Sequence, residues 1–357
     1  MSYIIVSDVH LGRDSSHYDQ FCDFLKWVRG LDNREETIRY DDKYVTMTSP
    51  EELILLGDIL ELWDPKGGDR DNVSKESLLP FSLLSDINCD KIYVVGNHDD
   101  SISQYETKIK NQVLANLKRF NIHDRHYPDY PDEKLLRLGD LTYFFLHGHQ
   151  YDKEQAILTN ISNLIGEKWD PIKWFQDLFN ITFTKKHWRE NLFVFIILLV
   201  LGYFSAGILH FNFTYMLVWA LILGFFSMSS VPGVVAKIQR RIYDFNKPKD
   251  KTAQQIIEDG YYQSNKDTTP SNVIVFGHTH FPSSYRGEEA SGKLFINTGS
   301  WVGCDEKIDE KQRYSNTFVY LDENGAYIMQ WKDGSVKCIV DSLHYDGSSW
   351  PQEEPMK

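Results

Sequence analysis

Five short turns along the chain carry Asp, Asn and His side chains at spacings suited to binding divalent metal ions. They are Asp8-Val9-His10, Gly57-Asp58-Ile59-Leu60-Glu61, Gly96-Asn97-His98-Asp99, His147-Gly148-His149 and Gly277-His278-Thr279-His280. Imidazole and carboxylate groups together suit borderline divalent cations. A carboxylate shared by two cations holds them about 3.5–4 Å apart, the separation that clamps a displacement at phosphorus. One such turn is a weak signal, whereas five in this order, each directly after a strand-like run, leave little room for coincidence.

Each of the five turns follows a short apolar run that predicts a buried strand. Strand-like runs occupy 3–6, 53–56, 91–95, 141–146, 272–276, 293–296, 317–321 and 326–331, and helical patterns occupy 18–29 and 103–120. Because the carboxyl ends of strands form the crevice of an open α/β sheet, the turns are expected to meet there. The polar stretches 32–49 and 288–292 are predicted to be loops.

The five turns together resemble the signature of the calcineurin-like metallophosphoesterase superfamily: D-x-H, G-D, G-N-H-D, an H-G or G-H pair, and G-H-x-H. The resemblance covers about residues 1–150 and 270–302 and includes the turn Asn297-Thr298-Gly299-Ser300. It implies an α/β fold, a four-layer α/β/β/α sandwich. It also implies two divalent metal ions, with manganese expected first and iron, zinc or magnesium as alternatives.

The resemblance also implies a role for each polar side chain. The first metal would be held by Asp8, His10 and His280. Asp58 would bridge the two metals, and the second would be held by Asn97, His147 and His278.

Three further side chains are expected to act on the substrate. His98 resembles the family's protonating histidine, and Glu61 is expected to orient it, since a nearby carboxylate favours the imidazolium form. Arg13 follows the first turn closely enough to reach a phosphate. The alternatives are a surface or helix-terminal carboxylate for Glu61 and a solvated loop residue for Arg13. His149 becomes a candidate ligand if the fourth turn is shifted by two residues.

The composition narrows the classes of partner. The chain has 357 residues and a net charge of −13, which disfavours binding to a nucleic-acid polymer. Its four cysteines show no CxxC spacing, so neither a zinc knuckle nor a disulfide framework is indicated, and a reducing compartment is expected.

A block of 46 residues at 191–236 contains no Asp, Glu, Lys or Arg. Its halves, 192–209 and 214–236, are each long enough to cross a hydrocarbon core as a helix. Six basic residues and one acidic residue flank the block within 185–190 and 237–241, so the positive-inside tendency places both flanks in the cytoplasm. The prediction is a membrane hairpin. A re-entrant hairpin, or one buried in a soluble protein or at a homodimer interface, is the alternative.

The stretch 55–63 looks like the G-D-x-x-E-x-W block of UDP-2,3-diacylglucosamine hydrolases, which cleave a lipid-linked pyrophosphate and carry a helical insertion between the fourth and fifth motifs. This chain has its apolar block in the same interval. His98 departs from that subfamily, which typically has Arg there, and agrees with phosphatases and phosphodiesterases more broadly.

These features predict a catalytic domain at 1–150 and 270–345, a helical insertion at 151–269 and a flexible tail at 346–357. The expected function is hydrolysis of a phosphoester or pyrophosphate in a lipid or nucleotide-linked lipid, at the cytoplasmic face of a membrane. The alternatives are a membrane-tethered phosphoprotein phosphatase or soluble-nucleotide phosphodiesterase, and a scaffold that has lost its chemistry.

Overall fold

A computed structural model describes residues 1–40, 42–62, 65–66, 70–99, 102, 120–151, 261, 270–286, 293–303 and 314–341. The chain divides into two compact units, Met1–Gln155 with Pro248–Lys357, and Ala156–Lys247. Every described residue belongs to the first unit.

Five features predicted from the sequence lie outside the described residues: the helix at 103–120 except for its last residue, the helical insertion at 151–269 except for residues 151 and 261, the apolar hairpin at 192–236 within it, the loop at 288–292 and the tail at 346–357. Within the described ranges, no helix combines the length and the apolar character that crossing a bilayer requires. The membrane hairpin therefore stays a prediction.

Short strands dominate the described part of the chain, and two α-helices lie among them. The elements are β1 (Ser2–Val6), α1 (Tyr18–Gly30), β2 (Glu36–Tyr40), β3 (Lys43–Met47), β4 (Glu52–Leu56), α2 (Arg70–Asp86), β5 (Asp90–Val94), β6 (Phe120–His123), β7 (His126–Tyr127), β8 (Leu136–Leu138), β9 (Leu141–Leu146), β10 (Val273–Phe276), β11 (Ser283–Arg286), β12 (Leu294–Asn297), β13 (Thr317–Asp322), β14 (Ala326–Lys332) and β15 (Ser335–Asp341).

Apart from the two-stranded β2–β3 sheet, the described strands form two mixed sheets, so the predicted α/β class is confirmed. The first sheet has the order β15-β14-β13-β1-β4-β5-β6, in which β1, β4, β5 and β6 run parallel and β13 to β15 are antiparallel. The second has the order β11-β12-β10-β9-β7, with β8 paired to β9. Its strands β9, β10 and β12 are parallel.

The two sheets pack face to face through alternate residues of their strands. In β1, Ile5 belongs to a cluster that includes Ile54 of the first sheet and Phe145 and Val275 of the second. Ile4 of the same strand belongs instead to the core beneath α1. Because both faces of β1 are buried, its sequence is a continuous apolar run without polar alternation.

Aromatic side chains cover the outer faces of the sandwich. On the first sheet, Phe24 of α1 lies against Trp301 and Phe318, with ring centroids 4.9 and 4.8 Å apart. On the second sheet, Tyr261 packs 6.0 Å from Phe295. The described residues therefore show three layers of the predicted four-layer sandwich.

The sheets bring the five polar turns to one end of the sandwich. The turns follow β1, β4, β5, β9 and β10 directly, and all five strands end at the same edge of their sheets. Backbone hydrogen bonds join neighbouring turns, from Asp8 N–H to Gly57 O at 3.0 Å and from Gly277 N–H to His147 O at 3.0 Å. The backbone thus positions the polar side chains before any ligand is bound.

One secondary-structure prediction is wrong, and another is wrong at its last residue. Residues 32–49 contain the β2–β3 hairpin, because the polar residues of this stretch alternate with Ile38, Val45 and Met47, which are buried. Alternation of this kind is typical of a strand with one face in water. The predicted helix cannot extend to Phe120, because β6 begins there and pairs with β5.

Candidate dimetal site

The residues of the five turns adopt a backbone conformation that L-amino acids rarely take. Five of them have positive φ angles between 50° and 68°: Asp8, His10, Asp58, His278 and His280. Such a conformation costs about 1–3 kcal/mol per residue and persists where the surrounding structure enforces it, which is common at functional sites. All five belong to the predicted ligand set.

The first cluster of candidate ligands consists of Asp8, His10 and His280. Asp8 Oδ1 lies 3.1 Å from His280 Nε2, and the Nε2 atoms of the two histidines are 3.2 Å apart. His10 Nδ1 donates to Glu61 Oε2 at 2.9 Å, which leaves the Nε2 lone pair of His10 facing the cluster. Burial lowers the pKa of His10, so the ring is neutral, as a metal ligand must be.

The second cluster consists of Asp58, His147 and His278, with Asn97 beside them. His147 Nδ1 donates to Leu56 O at 2.9 Å, and its Nε2 lies 3.2 Å from Asn97 Oδ1 and 3.1 Å from Asp58 Oδ2. The backbone bond fixes which nitrogen of His147 points into the cluster.

Asp58 lies between the two clusters. Its Oδ2 is 3.1 Å from His147 Nε2 of the second cluster and 3.8 Å from His10 Nε2 of the first. Its Oδ1 accepts the backbone N–H of His98 at 2.8 Å. A carboxylate held in this way has one oxygen anchored to a backbone amide and the other turned toward both clusters.

The donor atoms fit divalent cations. Two ligands that bind one cation at about 2.0–2.1 Å are themselves about 2.9–3.4 Å apart. Four of the facing pairs lie at 3.1–3.2 Å, whereas Asp8 Oδ1 and His10 Nε2 are 3.9 Å apart. Asp8 Oδ1 is fully buried and makes no hydrogen bond. A buried carboxylate oxygen without a donor is costly unless a cation satisfies it.

The electrostatics also favour positive charge at this place. Burial alone would lower the pKa of His147, but the Asp58 carboxylate outweighs burial and raises that pKa to about 10. Burial opposes ionisation of Asp8 as well, yet the neighbouring His280 and His147 hold the pKa of that carboxyl below its ordinary value. Cationic partners therefore stabilise the buried carboxylates. A divalent metal ion would stabilise them more strongly than a protonated imidazole does.

Two motif positions are glycine because atoms of neighbouring residues lie very close to the backbone there. A Cβ on Gly96 would overlap the carboxylate and backbone nitrogen of Asp58, and a Cβ on Gly277 would overlap Ser7 and Asp8 Oδ2. Glycine is therefore required at these two positions because a ligand carboxylate lies directly against the backbone.

Glu61 is fully buried and joins the first cluster to His98. Its Oε1 accepts from His98 Nδ1 at 2.8 Å while its Oε2 accepts from His10. Burial opposes ionisation, but the two imidazoles hold the pKa of Glu61 well below its ordinary value. Burial likewise lowers the pKa of His98, whereas Asp58 and Glu61 raise it and prevail. The surface alternative for Glu61 is therefore wrong.

The structure brings all seven predicted ligands, together with His98 and Glu61, into this one site. Arg13 is half-buried near it, and its charge opposes protonation of His98. His149 packs its ring 5.5 Å from that of His147.

Sequence reasoning missed the buried residues that hold the turns. Asp99 Oδ2 accepts from Tyr93 Oη at 2.6 Å and from Ile59 N–H at 2.9 Å, and its Oδ1 accepts from Gly96 N–H at 2.5 Å. It thereby ties the Asp58 turn to the Asn97 turn. The available signal was its place as the fourth residue of G-N-H-D.

Asn297 performs the same task for the fifth turn. Its Nδ2 donates to Gly277 O at 2.9 Å and to Thr279 Oγ1 at 2.8 Å, and its Oδ1 accepts from Gly299 N–H at 2.8 Å. The N-x-G-S turn noted in the sequence is therefore a support for the His278 and His280 turn.

No protein-family model matches the chain. A DNA polymerase II small subunit from Methanothermobacter thermautotrophicus is 26% identical over 172 residues, which are 45% of this chain and 33% of that protein. The chain thus spans about a third of that relative's length.

Solved structures similar to this chain include zinc-bound Vps29 from Entamoeba histolytica, with 12% identity, a TM-score of 0.35 and coverage of 96% of this chain and 99% of that one. A dimetal phosphatase from Danio rerio has 11% identity, a TM-score of 0.37 and coverage of 96% and 99%.

Proposed function

We propose that this chain is a metal-dependent phosphoric ester hydrolase with two divalent cations in its active site. The observation that carries the proposal is the position of Asp58 Oδ2 between two buried clusters of nitrogen and oxygen acceptors. Cations bound there would acidify a water molecule to supply the nucleophile and would neutralise charge that develops on the phosphoryl oxygens.

Hydrogen bonds within the protein fix the orientation of the histidine ligands. His10 and His147 each commit Nδ1 to a fixed acceptor, which keeps Nε2 available at one position. Preorganised ligands of this kind need no rearrangement at the moment of reaction. Asn97 adds a neutral oxygen beside His147, which limits the negative charge of the second cluster.

His98 is the proposed general acid. Its Nδ1 is bonded to Glu61, so Nε2 is the nitrogen that can give a proton to the departing oxygen. Its side chain is 20% exposed, whereas that of Glu61 is 1% exposed, so His98 is the member of the pair open to substrate. We assign Glu61 the role of positioning His98, and Arg13 that of contacting a substrate phosphate.

The substrate class we propose is a lipid or a nucleotide-linked lipid, with the active site at the cytoplasmic face of a membrane. The support is the apolar block at 191–236, which lies between the fourth and fifth polar turns and has basic flanks. A hairpin in the bilayer would hold the turns near lipid headgroups. A tethered phosphoprotein phosphatase or soluble-nucleotide phosphodiesterase is the competing function, favoured by His98 in place of arginine.

The test is product analysis with the full chain, purified in detergent, stripped with a chelator and reloaded with manganese. The substrates are a nucleotide-linked lipid pyrophosphate, a phospholipid, a soluble nucleotide diester, a phosphopeptide and single-stranded DNA. DNA is included because of the polymerase-subunit relative, although the net charge of −13 disfavours it.

A mononucleotide together with a lipid monophosphate is the expected product pair. Full turnover of soluble esters with none of the lipid pyrophosphate would reject the lipid proposal and keep the hydrolase. Asp58→Asn should abolish turnover, and Asp140→Asn, which changes an exposed carboxylate, should not. Equal activity of both variants would reject the hydrolase itself.

A further inference from the structure

A second group of metal-binding side chains lies in the segment that joins the two sheets. His123 ends β6 of the first sheet, and the chain then enters β7 of the second sheet before it reaches Asp129 and Glu133. One donor atom from each of these three residues lies within 4.8 Å of the others. We infer that His123, Asp129 and Glu133 form a third divalent-cation site, separate from the dimetal site.

His123 provides the observation that distinguishes this cluster from a surface patch of acidic residues. The residue is 8% exposed, and its buried Nδ1 makes no hydrogen bond. That nitrogen lies 3.1 Å from Asp129 Oδ2. The separation falls in the range of about 2.9–3.4 Å expected for two ligands of one cation, and the pairs in the dimetal site show the same spacing.

The turn between Asp129 and Glu133 holds both carboxylates on one side. Asp129 N–H donates to Glu133 Oε2 at 3.0 Å, and Glu133 N–H donates to Asp129 O at 2.8 Å. The nearby His126 is not a ligand through Nδ1, because that nitrogen donates to Pro128 O at 3.0 Å. One imidazole and two carboxylates suit zinc, cobalt or manganese, with water completing the coordination on the exposed side.

The position of the site suggests what the cation does. His123 O accepts the N–H of Val95 at 2.9 Å, directly before the Gly96 turn of the dimetal site. Gln150 donates to Arg125 O at 2.9 Å and accepts from Gly148 N–H at 3.2 Å, which connects the same segment to the His147 turn. A cation here would fix the crossing between the sheets beside two active-site turns, which is a structural role.

The experiment counts bound zinc in the full chain. Chelator-stripped protein is dialysed to equilibrium against buffered zinc chloride, and the metal is measured by mass spectrometry for wild type, Asp129→Asn, Glu133→Gln and Asp132→Asn. Asp132 is the matched control, because it is an exposed carboxylate of the same segment that lies outside the cluster.

We expect Asp129→Asn and Glu133→Gln each to lose about one equivalent of zinc relative to wild type, and Asp132→Asn to lose none. Cobalt substitution should show the same pattern in the visible absorption bands. Because both altered carboxylates are exposed, circular dichroism should match wild type. Equal zinc content in all four proteins, or an equal loss in the Asp132 control, would overturn the inference and leave His123 and Asp129 as an ion pair. The count compares variants, so it does not depend on whether the dimetal site is catalytic.

Discussion

Replacing Glu61 with Gln should separate the roles of metal binding and proton donation. Glu61 accepts hydrogen bonds from two imidazoles, at 2.9 Å from His10 and 2.8 Å from His98, and is completely buried. Gln has the same size but one acceptor oxygen, so its NH2 group must face the N–H of one imidazole. Either His10 loses its orientation as a ligand, or His98 loses its orientation as an acid.

The expected fall in the kcat of Glu61→Gln follows from the loss of one hydrogen bond. A hydrogen bond to a charged group contributes about 1.5–3 kcal/mol, and loss of a partner behind a metal ligand typically lowers affinity or activity about 10- to 100-fold. We therefore expect kcat to fall by about 10- to 100-fold for substrates whose leaving group needs a proton. Zinc or manganese affinity should fall as well, to the extent that His10 is the imidazole affected.

The assay compares two phosphoesters that differ in leaving group, an alkyl alcohol and nitrophenol, at saturating manganese. Nitrophenolate departs without protonation, so Glu61→Gln and His98→Ala should reduce kcat for the alkyl ester and largely spare the aryl ester. Glu51→Gln is the control, because Glu51 is an exposed carboxylate. Equal loss for both leaving groups in His98→Ala, or activity of Glu61→Gln equal to that of the control, would refute the assigned roles.

Three further variants test the support of the site and the core. Asp99→Asn should destabilise the fold by about 1–3 kcal/mol in urea titration, because a buried acceptor of three hydrogen bonds is replaced; an unchanged midpoint would contradict its role. Gly96→Ala should displace Asp58 and lower bound manganese, measured by equilibrium dialysis, while wild-type content would show that the close approach is tolerated. Phe24→Ala should cost about 3–5 kcal/mol, because its ring is fully buried between Trp301 and Phe318; a loss below 1 kcal/mol would contradict this packing. Chelator should lower the melting temperature of wild type more than that of Asp58→Asn, and equal shifts would argue against a cation at Asp58.

Strands that are buried on both faces could be predicted from the sequence. The eight apolar runs are all strands, with ends shifted by at most one residue, because strands covered on both faces have no polar positions to obscure them. The meeting of the five turns followed from the shared direction of β1, β4 and β5, and of β9 and β10.

Other features depend on contacts between residues far apart in sequence or half-exposed to water. The β2–β3 hairpin alternates polar and apolar residues, and its polar composition alone predicts a loop. Tyr93 and Asp99 reveal their role only when the turns they connect are adjacent in space. His123 has no motif around it, because its partner Asp129 reaches it through a turn. The membrane hairpin predicted for the apolar block at 191–236 stays a prediction, because the block lies outside the described residues.

Anomalous diffraction from crystals of the manganese-loaded full chain tests directly whether two cations share Asp58. In the dimetal site the account predicts two anomalous peaks about 3.5–4 Å apart, one against Asp8, His10 and His280 and the other against Asn97, His147 and His278, with Asp58 Oδ2 between them. A single peak, or peaks that do not contact Asp58, would contradict a dimetal site shared through this carboxylate.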